Sequence, residues 1–186
     1  MRVAWIWKAL TVVSLAGCSP TYNWREVRPE GAPLRAMLPC KPDRAERALP
    51  LLGPQAAAVP VWMLSCTADG HSFALAAARL PDGVPAARVL RDWRLAAWAS
   101  LRQAPAEALA GASDAAPPGW SQGGRVPAGA TLAQHWQGPG VDVEGHALRA
   151  EFMLAARERW LVQLAVYGPG LGPESRATLF EGLGFD

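Results

Sequence analysis

Two hydrophobic periods organise the chain. Over Val61–Cys66 and Ser72–Arg79, and again over Ala130–Gln137, Gly145–Ala156 and Trp160–Tyr167, apolar side chains fall largely on alternate positions. That period predicts strands with one face on a core. Between the two groups, from Pro85 to Ala104, the period lengthens to that of a helix. Leu90, Trp93, Ala97 and Leu101 share a stripe, while Arg88, Asp92, Leu95 and Arg102 lie largely opposite. Pro85 suits a helix start and Pro105 a stop. Shorter strands are expected within residues 22–27, over Leu34–Leu38, and over Glu46–Leu52, where Pro50 argues for a sheet edge. A short helix is expected around Ala106–Ala110, and a closing one over Pro173–Phe180.

The turns agree with this order. Asp69-Gly70 tolerates positive φ and predicts a hairpin between its flanking strands, and Arg157-Glu158-Arg159 joins the last two strands. Gly138-Pro139-Gly140 and Gly145 are read as bounding a hairpin tip, and residues 111–125, rich in Pro and Gly, as a long irregular loop. Strands joined by hairpins imply an antiparallel sheet, so the expected fold is α+β, with the long mid-chain helix and the short C-terminal one packed on the sheet.

Ahead of the domain, Arg2 and Lys8 precede an apolar run from Ala9 to Ala16, too short to span a bilayer as a helix. A basic start, a short apolar run and small residues describe a secretory signal. It ends in Leu15-Ala16-Gly17-Cys18, which resembles the lipobox of bacterial lipoproteins. The resemblance implies cleavage before Cys18, a thioether-linked diacylglycerol on its sulfur and acylation of its new amine. Ser19, not aspartate, follows; by resemblance to the sorting rule of Gram-negative lipoproteins, the address is the periplasmic face of the outer membrane. The expected organisation is a signal peptide over 1–17, a lipidated tether over 18–33 and one domain over 34–186.

Half the residues are apolar (51%) and 18% are charged, enough for a sizeable core. Arg2 and Lys8 fall in the segment to be removed, which leaves the remaining basic residues balanced against the 16 acidic ones. Without a basic excess, nucleic-acid binding is not expected. With Cys18 assigned to lipid, Cys40 and Cys66 meet an oxidising compartment, where a pair of thiols forms a disulfide; two separate buried thiols are the alternative.

Leu38-Pro39-Cys40-Lys41-Pro42 resembles the opening motif of the PsbP-like α/β/α sandwich group of envelope proteins. The similarity extends to the mid-chain helix, to the strand Leu161–Tyr167 with Gly168-Pro169, and to the closing helix and Phe185. Cys40 inside the motif and the 111–125 loop depart from it. The group shares no catalytic residues, so the resemblance implies a sandwich fold and an accessory or binding role.

Candidate chemistry is sparse. Gly119-Trp120-Ser121-Gln122-Gly123 is a literal G-x-S-x-G, followed in triad order by Asp142 and His146, and would make a lipid-anchored serine hydrolase with Ser121 as nucleophile. Prolines and glycines on both sides deny it the strand–turn–helix frame that the motif needs, and Ser121 is expected in a loop. His71, His135 and His146 lack metal-ligand spacing, and His135 and His146 are expected to be solvated at strand ends. Asp142 and Glu144 are read as a solvated hairpin tip. No metal or cofactor is expected. The expected function is binding of a protein or envelope component, with Trp98, Trp120 and Trp136 as the docking surface. A small-ligand pocket between helix 85–104 and the sheet is the alternative.

Overall fold

The structure is a computed structural model that describes residues 21–53, 55–102 and 114–186. The signal and lipobox, the short helix expected at Ala106–Ala110 and the start of the 111–125 loop lie outside the described residues. The strands are β1 (Arg25–Val27), β2 (Leu34–Leu38), β3 (Asp43–Leu49), β4 (Val59–Ala68), β5 (His71–Arg79), β6 (Ser121–Gly123), β7 (Leu132–Val141), β8 (Ala147–Arg157), β9 (Trp160–Gly168) and β10 (Gly184–Phe185). Two helices accompany them, α1 (Ala86–Leu101) and α2 (Pro173–Glu181). None of the described helices is long and apolar enough to cross a membrane.

Seven strands form one antiparallel sheet in the order β3-β4-β5-β9-β8-β7-β6, and β1, β2 and β10 form a second, smaller one. Period-2 alternation sorts the side chains of the large sheet between two layers. Phe73, Leu75, Met153, Val162 and Leu164 face β2, β10 and the Leu179 and Phe180 side of α2. Phe152, Leu154, Leu161 and Ala165 face α1. The central strands are thus buried on both faces, and the run of alanines in β5 keeps both layers close. β3, at the edge, is almost wholly exposed and carries Asp43, Arg44, Glu46 and Arg47, charges that guard an open edge against pairing with another chain.

The α+β class, the antiparallel sheet and both described helices match the sequence expectation. Four details differ. α1 is rotated from the expected stripe: Leu95 is buried, together with Arg94 and Trp98, because Trp98 packs on indoles brought from β7 and the preceding loop. β7 runs straight through Gly138-Pro139-Gly140, Pro139 pairing with Arg149. A Cβ at Gly138 would overlap the Trp120 ring, so the glycine marks a close approach rather than a turn. Ser121–Gly123, expected to be loop, pairs with β7 as a short edge strand. Gly184 and Phe185 pair with Arg35 and Leu34 of β2, closing the small sheet with a strand that has too few residues to show a period.

Cys40 and Cys66 are disulfide-bonded, with Cα atoms 6.0 Å apart. Cys40 follows β2 in the outer layer and Cys66 lies in β4, so the bond staples the small sheet to the large one rather than joining strands of one sheet.

Candidate functional site

Three strand ends meet at one end of the large sheet: the start of β5, the start of β8 and the end of β9. Consecutive residues there turn to opposite faces. Ser72, Leu148 and Tyr167 line an open groove on the α1 side; His71, Arg149 and Gly168 line a small polar pocket on the other. Two sites are thus built from the same strand ends, back to back.

The groove has a volume of about 710 Å³. Trp93, Ala97 and Leu101 of α1 form one wall, and Val141, Leu148 and Tyr167 of the sheet the other. Burial pushes the Tyr167 phenol up to about 12, so it stays a neutral hydroxyl. Asp142, Val143 and Glu144, at the tip joining β7 to β8, close one end, and Val143 is 91% exposed. Asp142 organises the tip: its Oδ1 accepts from the backbone amides of Glu144 (2.9 Å) and His146 (2.8 Å), and Oδ2 lies 3.0 Å from His146 Nδ1. The His146 amide, helped by its imidazole, holds the Asp142 carboxyl below the usual carboxylate range despite some desolvation. Candidate ligand atoms of Asp142, Glu144 and His146 lie within 4.8 Å of one another, but all three residues are at the surface and Asp142 is already committed to the turn.

The polar pocket, about 80 Å³, lies between the sheet and α2, with Gln137, Arg149, Glu151, Gly168, Arg176 and His71 in its wall. Glu151 is its electrostatic centre. Nε of Arg176 lies 2.7 and 2.8 Å from the two carboxylate oxygens, and Nε2 of His135 lies 2.7 Å from Oε1. Burial alone would raise the Glu151 carboxyl, but the hydrogen bonds from His135 and Arg176 and the Arg176 charge outweigh it and hold it below its ordinary value. His71 is 4% exposed, and its Nδ1 lies 2.8 Å from the carbonyl oxygen of Asp69. Its Nε2 is buried and has no hydrogen-bond partner among the described residues. At Gly168 (φ 155°) a Cβ would stand 2.7 Å from Cδ2 of the same ring, so only glycine lets β9 pass this close.

The predicted site residues fall elsewhere. Trp98, Trp120 and Trp136, expected as a docking surface, are 3%, 8% and 7% exposed and form an interior cluster. Trp98 meets Trp136 edge-on at 5.0 Å and Trp120 at 6.0 Å, under the Arg94 guanidinium. Arg94 in turn bonds Gln134 (2.9 Å) and Asp114 (2.6 Å), tying the loop after α1 to the helix. Each large indole removes more apolar area from water in the core than an exposed patch would. Ser121 sits opposite Gln137, five residues and so roughly 16 Å along β7 from Asp142. Asp142 and His146 do bond each other, but that distance keeps the serine from joining them. His135, expected to be solvated, is 4% exposed and packs on Phe180 at 4.6 Å. Cys18 lies outside the described residues.

The polar pocket was missed in the sequence, although one signal was present. Arg149 and Glu151 continue the alternation of Met153 and Ala155 toward the same layer. A charged pair in core-facing register asks for partners, and α2 supplies one.

No family model matches the chain, and neither a curated protein nor a solved structure is similar to it.

Proposed function

We propose that the chain is a non-catalytic, lipid-anchored protein of the bacterial envelope that binds a segment of a partner protein in the groove between α1 and the sheet. The observation that carries this reading is the groove itself. It is open along its side, its walls are mainly aromatic and aliphatic, and two carboxylates stand at one end. An occupant laid there keeps one side in water, as a protein segment does, and an adjoining basic residue would meet Asp142 and Glu144. The volume also falls within the range of small-ligand sites, which supports a ligand carrier as the second reading.

The anchor and the address rest on the lipobox resemblance: lipid on Cys18, and the periplasmic face of the outer membrane because Ser19 follows it. The disulfide fits an oxidising compartment. Tyr22 lies beside Asp69 and His71, at the groove's end of the sheet. Three residues separate it from Cys18, a span of at most about 14 Å of chain. The groove end of the domain would then be held close to the membrane surface. We also read the layered order, with a helix between two runs of antiparallel strands and a closing helix, as that of the PsbP-like sandwich group. Leu38-Pro39-Cys40-Lys41-Pro42 at the end of β2 supports this.

A photo-crosslinking side chain placed in cells at Ala96 or Ser100, and at Arg47 of β3 as control, tests the groove. The expected result is a protein adduct of discrete mass from the groove positions, lost when Asp142 and Glu144 are both changed to Lys. Small-molecule adducts alone would favour the carrier. Equal adducts at Arg47 would remove the groove from consideration.

A further inference from the structure

The open edge of the large sheet carries a second surface, independent of what the groove holds. β3 is the outermost strand and is paired with β4 alone. It runs for seven residues between Pro42 and Pro50, with no positive φ and no break in its pairing, and is exposed from Asp43 to Ala48. Its outer row of backbone N–H and C=O groups is a template for another strand.

The charges decide which strand. In register with β4, Asp43 faces Ser65, Arg44 faces Leu64, Glu46 faces Trp62 and Arg47 faces Val61, so β4 offers none of them an opposite charge. Among the described residues these four side chains have no ion pair or hydrogen bond. Their order along the strand is self-complementary.

Two identical edges close on each other about a two-fold axis normal to the sheet, which makes the strands antiparallel and the contact isologous. Paired residues must both turn their backbone groups to the partner or both turn them away. That property alternates along a strand, so the axis passes through a residue and never between two. With Asp43, Arg44, Glu46 or Arg47 on the axis, a charge meets its own copy. With Ala48 or Leu49 there, Pro50 enters the paired stretch and the overlap shortens. With Ala45 on the axis, Asp43 meets Arg47 of the second copy and Arg44 meets its Glu46, each twice by symmetry. Both Arg44–Glu46 pairs then lie on one face of the sheet and both Asp43–Arg47 pairs on the other, with the small Ala45 side chains between the latter.

We infer that β3 is a self-association edge: two copies of this chain join β3 to β3 in the register centred on Ala45 and continue the large sheet across the axis. Like charges set opposite each other deter the neighbouring registers and strands of a different pattern. The residues that guard the edge thus admit one partner, a second copy. So short an edge makes a small interface, and the pairing is reversible. The axis also keeps Tyr22, which packs on the small-sheet layer, on the same face in both copies, so both tethers leave toward one side.

The test places Ala45→Cys in the full-length chain in cells treated with a membrane-permeant thiol oxidant and reads the product on non-reducing gels. The parent, whose Cys40 and Cys66 are bonded to each other, is the blank. Facing residues of antiparallel strands have Cα atoms about 4.5–5.5 Å apart, within disulfide reach. Ala48 stands opposite Pro42 of the second copy and so roughly 20 Å from its own counterpart. Ala45→Cys should therefore give an adduct of twice the chain mass, and Ala48→Cys should not. Adding Arg44→Glu, which sets two carboxylates against each other, should abolish the adduct, and adding Glu46→Arg alone should do the same. The two reversals together should restore it. All these side chains are exposed, so the circular dichroism should stay that of the parent, which separates lost pairing from lost folding. A missing Ala45 adduct, equal adducts at both positions, an adduct with a different protein, or no recovery in the double reversal would each overturn the assignment. A photo-probe at Arg47 should link the same two copies, a mass distinct from that of a partner captured in the groove.

Discussion

Arg176 of α2 meets both carboxylate oxygens of Glu151 in β8, its Nε lying 2.7 and 2.8 Å from them, and so pins the closing helix to the centre of the large sheet. His135 completes the carboxylate's shell from β7. The native Glu151 carboxyl is held below its ordinary value, so its contribution to stability is complete above the usual carboxylate range. It is lost as the pH falls through the depressed native value. Glu151→Gln should therefore lower stability at neutral pH by about 1–2 kcal/mol, a figure kept modest because Arg176 is partly exposed. The same variant should show a flatter loss of stability on acidification. Urea midpoints at neutral and acid pH measure both, and an acid limb as steep as the parent's would remove Glu151 from this role.

The disulfide closes 26 residues of chain and joins two layers. Breaking it with reductant, or with Cys40→Ser and Cys66→Ser together, should cost roughly 3 kcal/mol on the chain-entropy account. Denaturant curves with and without reductant check this. Two titratable thiols at these positions in the denatured, unreduced protein would contradict the bond.

Gly138 and Trp120 are in contact because β7 has no side chain at that point. Gly138→Ala should cost about 1–3 kcal/mol through overpacking. Trp98→Ala, which empties the middle of the indole cluster, should cost about 3–5 kcal/mol. Both changes should alter the near-ultraviolet circular dichroism, which reports the packing of the indoles. An unchanged spectrum and midpoint for Gly138→Ala would mean that the ring lies elsewhere.

The lipid anchor proposed at Cys18 makes a separate prediction. Cys18→Ser should shift the protein from the membrane fraction to the soluble periplasmic or precursor pool, and mass spectrometry of the parent should find acyl chains on residue 18. Two or more acyl chains hold a protein stably on a bilayer, since each buried methylene contributes about 0.8 kcal/mol. A free sulfur at residue 18 in the purified parent would end the lipoprotein reading.

Much of the architecture was legible because it rests on local period. The alternation of β4, β5, β8 and β9 and the longer period of α1 appear in the residues themselves, as does the Asp69-Gly70 turn, where both φ angles are positive at 51° and 71°. Elements whose reason lies in a distant partner were not legible. Ser121–Gly123 became a strand only because β7 lies alongside, Gly184–Phe185 only because β2 does, and Gly138-Pro139-Gly140 reads as a turn until Trp120 occupies the space above it. The same holds for the sites. The indoles of Trp98, Trp120 and Trp136 suggest a surface by their number, and only their mutual packing shows that they are interior.

By itself the sequence determined the α+β class, the antiparallel pairing of the hairpins and the residues available to form a disulfide, because hydrophobic period and turn chemistry act over a few residues. The tertiary structure alone decided which face each residue occupies, that the disulfide spans two layers, and that one end of the sheet carries a groove on one side and a charged pocket on the other. Strand residues alternate across a sheet, so two neighbours such as Leu148 and Arg149 can serve sites on opposite faces. Which neighbour faces which site is set by register with strands far away in the chain.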